Sequence, residues 1–198
     1  MSYYIVFRGL FRIIFSLFYR WRVVGRENVP NDGAVILCCN HIGNLDPPML
    51  GGGIERQVRF MAKEELFHVP VISFLIRKFG AFPVKRGAGD RNAIRTTLQL
   101  LEEGAVLGIF PEGTRSKTGE LGKGLTGVAM FAVKSKAEVV PVAIIGPWRL
   151  FRPITIVYGK PIDMTAIREK KVDSETLREA TDLIMESIGK LIDENKGK

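Results

Sequence analysis

An α/β fold with a mainly parallel central sheet flanked by helices is predicted by three features of the chain. Short apolar runs alternate with helical patterns along most of its length. The best of the runs, Ala34 to Cys39, is apolar at every position, as a strand covered on both faces must be. The residues able to do chemistry follow the ends of such runs, where parallel sheets place their crevices.

The first 24 residues are set apart from this pattern. Arg8 and Arg12 interrupt the apolar stretch at 3–22, and the longest uncharged piece after Arg12 is seven residues. That is too short to cross a bilayer core of about 30 Å or to act as a signal core. Arg8, Arg12, Ser16 and Arg20 recur every four residues, which on a helix makes one polar stripe. Ile5, Phe7, Leu10, Phe11, Ile14, Phe15 and Phe18 then form a broad apolar face, with Tyr19 and Trp21 near its end. The expectation is an amphipathic helix over 1–24 lying in an anionic headgroup layer, followed by a single α/β domain over 25–198. The competing arrangement is a core helix whose arginines snorkel, but so many Phe near a terminus are costly for a soluble domain to cover.

A turn-rich connector, Gly25 to Gly33, leads to a strand at 34–39 bounded by Gly33 and Asn40. Pro47-Pro48 open a short helix at 47–54, since Pro is favoured at a first helical position. A strand at 57–62 (Gln-Val-Arg-Phe-Met-Ala), an amphipathic helix at 64–79 despite Pro70, and a short strand at 81–85 follow. The pattern continues with a helix at 91–103, a strand at 105–110 (Ala-Val-Leu-Gly-Ile-Phe) and a helix at 124–136. Strands at 138–145 and 154–158 and a charged helix from 173 to about 195 complete the chain.

With 198 residues, 46% hydrophobic and 25% charged, the chain is globular and sized for one domain. Its mean hydropathy of +0.10 is greasy for a soluble protein. The 29 Lys and Arg against 21 Asp and Glu give a net charge of +8, which points to an anionic partner: nucleic acid, an acidic membrane surface or a phosphorylated small molecule. Cys38 and Cys39 are adjacent in a strand, so their side chains point to opposite faces and a mutual disulfide is not expected. This suits a reducing compartment, and the two offer no metal-ligand spacing.

Chemistry is expected first at His41 and Asp46, which follow the 34–39 strand. A neutral imidazole takes a proton from a hydroxyl only if its other nitrogen is held in the right tautomer, commonly by a carboxylate. Asp46 can supply that hold, and preceding Pro47 it is also an N-cap candidate. The plainer reading of Asn-His-x-Gly-Asn-x-Asp-Pro is a strand-to-helix turn with an Asp cap. A second constellation, Phe110-Pro-Glu-Gly-Thr-Arg-Ser116, ends the strand at 105–110. Its Gly113 lets backbone amides approach an anion and Arg115 can clamp a phosphate with two parallel bonds, although such a loop could equally be a solvated turn. Lys63, Lys85 and Arg86 end two further strands and add positive charge to the same crevice.

Taken together, Asn-His-x-x-x-x-Asp at 40–46, Gly-x-Phe-Pro-Val-x-Arg at 80–86, Phe-Pro-Glu-Gly-Thr-Arg-Ser at 110–116 and Val-Pro-Val at 140–142 resemble, in order and spacing, the glycerolipid acyltransferase family. The resemblance implies transfer of a fatty acyl group from a thioester of acyl carrier protein or coenzyme A to the sn-2 hydroxyl of lysophosphatidic acid, giving phosphatidic acid. It implies His41 as the base, Asp46 as the group fixing its tautomer, and Glu112, Gly113, Thr114, Arg115 and Arg86 as the glycerol-phosphate site. It further implies that Lys63 helps stabilise the intermediate, that no cofactor or metal is used, and that the enzyme works at the cytoplasmic face of the membrane as a peripheral or monotopic protein. The second block departs from the family's usual Ile-Asp-Arg, having Val84-Lys85-Arg86.

Elementary chemistry fits this. Attack on a thioester needs a base and a site for the developing oxyanion but little acid help, because a thiol of pKa near about 8.5 leaves readily. Buried uncharged thiols are poor nucleophiles and no Gly-x-Ser-x-Gly elbow occurs, so a ternary complex without an acyl-enzyme is expected. Gly122 to Gly127 fits Gly-x-Gly-x-x-Gly but lies far from its strand, so it is read as a glycine-rich helix start packing close to the sheet rather than a dinucleotide site. His68 is read as a side chain packed on an apolar helix face. The rival functions are a related acyltransferase for another lysolipid and a non-catalytic lipid binder at a membrane surface. A nucleic-acid binder fits the charge but not the aromatic terminus.

Overall fold

The computed structural model describes residues 2–85 and 90–196, so Arg86 lies outside the described residues. Seven strands form one sheet in the order β1-β7-β6-β2-β5-β3-β4, where β1 is Arg22–Val24, β2 Val35–Cys39, β3 Val58–Lys63, β4 Ala81–Val84, β5 Val106–Ile109, β6 Glu138–Ile145 and β7 Thr155–Tyr158. Every neighbouring pair is parallel except β6 with β7. The α/β class and the mainly parallel sheet therefore stand as predicted.

The helices are α1 (Ser2–Phe18), α2 (Asp46–Gly52), α3 (Pro70–Lys78), α4 (Arg91–Glu102), α5 (Gly127–Lys134), α6 (Thr165–Arg168) and α7 (Ser174–Asn195). The strand β2 is buried along its whole length, and its alternate side chains feed two cores. Val35, Leu37 and Cys39 join Phe15 of α1 and Met49 and Leu50 of α2. Ile36 and Cys38 join Leu101 of α4, Phe131 of α5 and Ile184 of α7. The two thiols thus sit on opposite sides of the sheet, unbonded.

This layering creates the crevice. The strands β2 and β5 are parallel neighbours, but the chain leaves β2 toward the face covered by α1 and α2 and leaves β5 toward the face covered by α5. Where adjacent connections diverge in this way, a cleft opens between the two loops.

Several boundaries differ from expectation for local reasons. The helix expected over 64–79 is broken: a 3-10 turn at Glu64–His68 precedes α3, with Val69 extended at φ −92° and ψ 112°. The ring of Pro70 pushes the preceding residue out of the helical region, and Pro70 then starts α3. His68, expected to pack, is exposed. The segment 1–24 does not stand apart from the domain, because Arg22–Val24 pair with β7 as an edge strand and Arg20 at φ 43° has left the helix.

The orientation of α1 is also reversed with respect to its polar stripe. Arg8 and Arg12 face the protein, where they serve as donors to backbone carbonyls left open at the end of α2. Arg12 Nε donates to Gly52 O at 2.7 Å and its Nη2 to Ile54 O at 3.1 Å, while Arg8 donates to Glu55 O. Both guanidiniums also pair with the Glu55 carboxylate, at 2.6 and 2.8 Å. Tyr4 and Phe15 are buried beside them, and Ile5, Val6, Leu10, Ile13 and Leu17 point outward.

Two outcomes follow for this docking. Phe15→Ala, which empties a fully buried aromatic site, is expected to cost about 3–5 kcal/mol in denaturant unfolding. The Arg12 bond holds the Glu55 carboxyl below its ordinary value of 4.5, so the ion pair's contribution is complete above that pH and is lost as the pH falls through the lowered value. Proteolysis at the α1–β1 junction should accordingly quicken in acid, and Glu55→Gln should remove the pH dependence of that cleavage.

Candidate active site

At the end of β2 the backbone turns away from β6, and the side chain of Asn40 takes over the ladder. Its Nδ2 donates to Ile144 O at 2.9 Å and its Oδ1 accepts from Ile144 N–H at 2.7 Å. Asn40 is 3% exposed, so both strand groups of Ile144 are satisfied in the interior. This substitution of an amide side chain for a peptide lets residue 41 leave the sheet without orphaning a partner.

His41 Nδ1 lies 2.7 Å from Asp46 Oδ2. Because an ionised carboxylate only accepts, Nδ1 carries the proton and Nε2 of the neutral ring is left as the acceptor. The imidazole stacks on Phe110 with centroids 4.1 Å apart and planes inclined by 21°. Asp46 is completely buried, and a buried charge is tolerated only when its oxygens are occupied. Oδ2 also accepts from Ile42 N–H at 2.6 Å and Gly43 N–H at 2.7 Å, and Oδ1 accepts from Trp148 Nε1–H at 2.7 Å. Asp46 is not the N-cap expected of it: Leu45 occupies that position, and the carboxylate reaches back over the loop as the first residue of α2.

The loop after β5 is fastened to this one. Glu112 Oε1 accepts from His41 N–H at 2.8 Å, His41 O accepts from Ser116 N–H at 2.8 Å, and Arg115 Nη1 donates to Asn44 Oδ1 at 2.6 Å. The second oxygen of Glu112 accepts from Gly122 N–H at 2.9 Å, so both oxygens are taken by backbone amides. Gly113 turns at φ +66°, where a Cβ would come within 2.5 Å of Leu125. Thr114, Arg115, Ser116 and Lys123 line an open cleft of about 340 Å³ beyond it.

The structure therefore brings together His41, Asp46, Glu112, Gly113, Thr114 and Arg115. Lys63 is exposed at the end of β3, on the same sheet edge but separated from β2 by β5, and among the described residues it has no bond to the His41 loop. Lys85 is 3.8 Å from Glu64 at the surface. Gly124 packs against Thr181 and Met185 of α7 rather than against the sheet, and α5 begins only at Gly127. Trp148 belongs to the site although no motif singled it out, and Asn44 and Phe110, inside the 40–46 and 110–116 motifs, join it through contacts for which no role was expected.

A histidine held by a buried carboxylate, next to a loop that carries a glycine, two hydroxyls and an arginine at the ends of neighbouring parallel strands, fits an acyl-transfer site. Residues 20–145 match the Acyltransferase family model, and the chain belongs to that family. It is 37% identical over 158 residues to the 1-acyl-sn-glycerol-3-phosphate acyltransferase of Bacillus subtilis, covering 76% of this chain and 78% of that protein. The Streptococcus pneumoniae 1-acyl-sn-glycerol-3-phosphate acyltransferase is 29% identical, covering 98% of this chain and 75% of its own length. The crystal structure of the 1-acyl-sn-glycerophosphate (LPA) acyltransferase PlsC from Thermotoga maritima superposes with a TM-score of 0.76 at 26% identity, over 98% of this chain and 81% of that one.

Asn40→Ala would bury both Ile144 backbone groups unsatisfied. A loss of about 2–4 kcal/mol in chemical denaturation is expected, with Asn40→Asp recovering only the bond from Ile144 N–H.

Proposed function

We infer that this chain is a 1-acyl-sn-glycerol-3-phosphate acyltransferase that moves a fatty acyl group from an acyl carrier protein or coenzyme A thioester to the sn-2 hydroxyl of lysophosphatidic acid, forming phosphatidic acid. The observation that carries the reading is the 2.7 Å bond between His41 and the buried Asp46, in a loop that Arg115 also touches. His41 Nε2 takes the hydroxyl proton as the oxygen attacks the thioester carbonyl. The carbon–sulfur bond breaks as the tetrahedral intermediate collapses, and the imidazolium returns the proton to the departing thiolate. Asp46 stays ionised throughout, stabilising the imidazolium it orients.

Arg115 and the Gly113–Thr114 turn hold the glycerol phosphate, with Arg86 as a second cation and Lys63 acting on the intermediate. The resemblance placed Glu112 among the phosphate ligands, but a carboxylate repels phosphate and both its oxygens are engaged. Glu112 is better read as the strut that sets the His41 and Gly122 amides. Direct transfer without an acyl-cysteine is supported by Cys38 and Cys39, whose thiols burial pushes well above their ordinary value.

The outward face of α1, with Val71 and Phe74 of α3 and Leu150 and Phe151 beyond β6, exposes a group of large apolar side chains of the kind that marks an interaction surface. Phe79, just past α3, touches Phe7 and Phe11 of α1 with ring centroids 5.4 Å away, so α1 and α3 pack together. Among the described residues no helix is long and apolar enough to cross a membrane. The reading that fits is a protein seated on an anionic membrane surface by these faces, with Lys78, Arg149 and Arg152 at their rim.

Turnover of lysophosphatidic acid with a series of acyl thioesters tests the reading directly. His41→Ala should lower kcat by about 10²–10⁴, the span general-base catalysis supplies, with acceptor binding retained. Arg115→Ala should instead raise KM for lysophosphatidic acid by roughly ten-fold or more. A lipid carrier would keep its function in His41→Ala, which would overturn the enzyme assignment. In the native protein neither thiol should react with a disulfide reagent, and intact mass after incubation with donor alone should show no acyl adduct.

A further inference from the structure

Trp148 sits in the loop between β6 and β7, about a hundred residues from the dyad in sequence, yet its indole N–H is the only donor to Asp46 Oδ1 among the described residues. The other oxygen, Oδ2, holds His41 Nδ1 and two loop amides. Rotation about the Cβ–Cγ bond swings both oxygens, and the three partners of Oδ2 all belong to residues 41–43 just before Asp46, so the bond to Oδ1 is the one that fixes the carboxylate plane to a distant part of the fold. The indole is itself clamped. It packs against Phe15 of α1 at 5.8 Å between centroids and edge-on to Tyr19 at 5.2 Å. On its other side is Gly43, where a Cβ would fall 2.2 Å from Trp148 Cδ1, so only glycine lets the ring reach the carboxylate. The loop is tied to the end of α1 by Phe151 N–H donating to Phe18 O at 2.6 Å.

We propose that Trp148 is a positioning residue for the acyl transfer: its indole N–H locks the rotation of Asp46, and through it the ring of His41, and its seat on Phe15 and Tyr19 makes that lock depend on the docked N-terminal helix. This rests on the acyl-transfer reading given above. No proton moves through Trp148; it touches neither substrate nor the reacting atoms. What it supplies is direction, and a reacting group displaced by about 1 Å can lose about 10² in rate.

The pairing that tests it is Trp148→Phe, which keeps an aromatic ring on Phe15 but removes the donor, against Trp21→Phe. Trp21 also packs on Phe15, at 5.5 Å, and its indole bonds Ser16 Oγ at 2.9 Å away from the dyad. With full-length protein in detergent, lysophosphatidic acid and acyl-coenzyme A, Trp148→Phe should lower kcat by roughly ten-fold while both KM values stay within about two-fold; Trp21→Phe should match wild type. Wild-type kcat in Trp148→Phe overturns the proposal. A second measurement needs neither substrate nor a folded Trp148 variant. The chain has 2 Trp, so Trp21→Phe identifies the Trp148 indole N–H in a proton–nitrogen spectrum. That resonance should lie downfield and move on Asp46→Ala, and an unmoved resonance overturns the proposal. Inactive wild-type protein with every thioester would sink the acyl-transfer reading alone, leaving the indole result to decide this one.

Discussion

Everything at the site hangs on one buried negative charge. Asp46 has no contact with water, so its charge persists only because four N–H groups converge on it. Three come from the five residues before it, and the fourth crosses from a loop on the far side of β6. The catalytic geometry is thus a by-product of solving a desolvation problem: the arrangement that satisfies the carboxylate also fixes the imidazole. A histidine anchored through Nδ1 on a rigid acceptor presents one nitrogen, in one tautomer, to whatever enters the cleft.

The sheet explains why the Glu112–Ser116 loop lies next to that histidine. The strands β2 and β5 are neighbours in register, Cys38 opposite Ile109, so their following loops begin at the same height. Glu112 and Ser116 then exchange bonds with the backbone of His41, one on each side of the residue. Such a pair of contacts fixes the separation of His41 from the loop that carries Arg115. It also accounts for the buried glutamate in a loop that otherwise suits phosphate.

The fold class, nearly every strand and the His41–Asp46 and Glu112–Arg115 groups were legible because each is a local signal: an apolar run, a turn, a residue type at a strand end. What was not legible is what depends on distant residues. Trp148 carries no motif, and its role exists only because β6 runs beside β2 and Gly43 leaves room for the ring. The strand at Arg22–Val24 is too short to read as one, and it pairs with the edge that β7 offers. The break before Pro70 was in the sequence, since the residue before a proline avoids the helical region, but the amphipathic pattern on both sides obscured it.

The N-terminal helix shows how a correct pattern can be assigned to the wrong partner. The four-residue recurrence of Arg8 and Arg12 is a real stripe, and a basic stripe beside an apolar face suggests a helix reaching for anionic lipid. Here the stripe has a closer claim on it. The chain leaves α2 with the carbonyls of Gly52, Ile54 and Glu55 open, and helix C-termini attract cations. Arg56 and Arg168 are likewise spent on carbonyls, at Pro30, Gly33 and Gly104 and at Ala132 and Ala137. Part of the net charge of +8 therefore works inside the fold rather than on a partner. With its arginines turned inward beside the buried Tyr4 and Phe15, α1 leaves Ile5, Val6, Leu10 and Leu17 on the opposite, outer face.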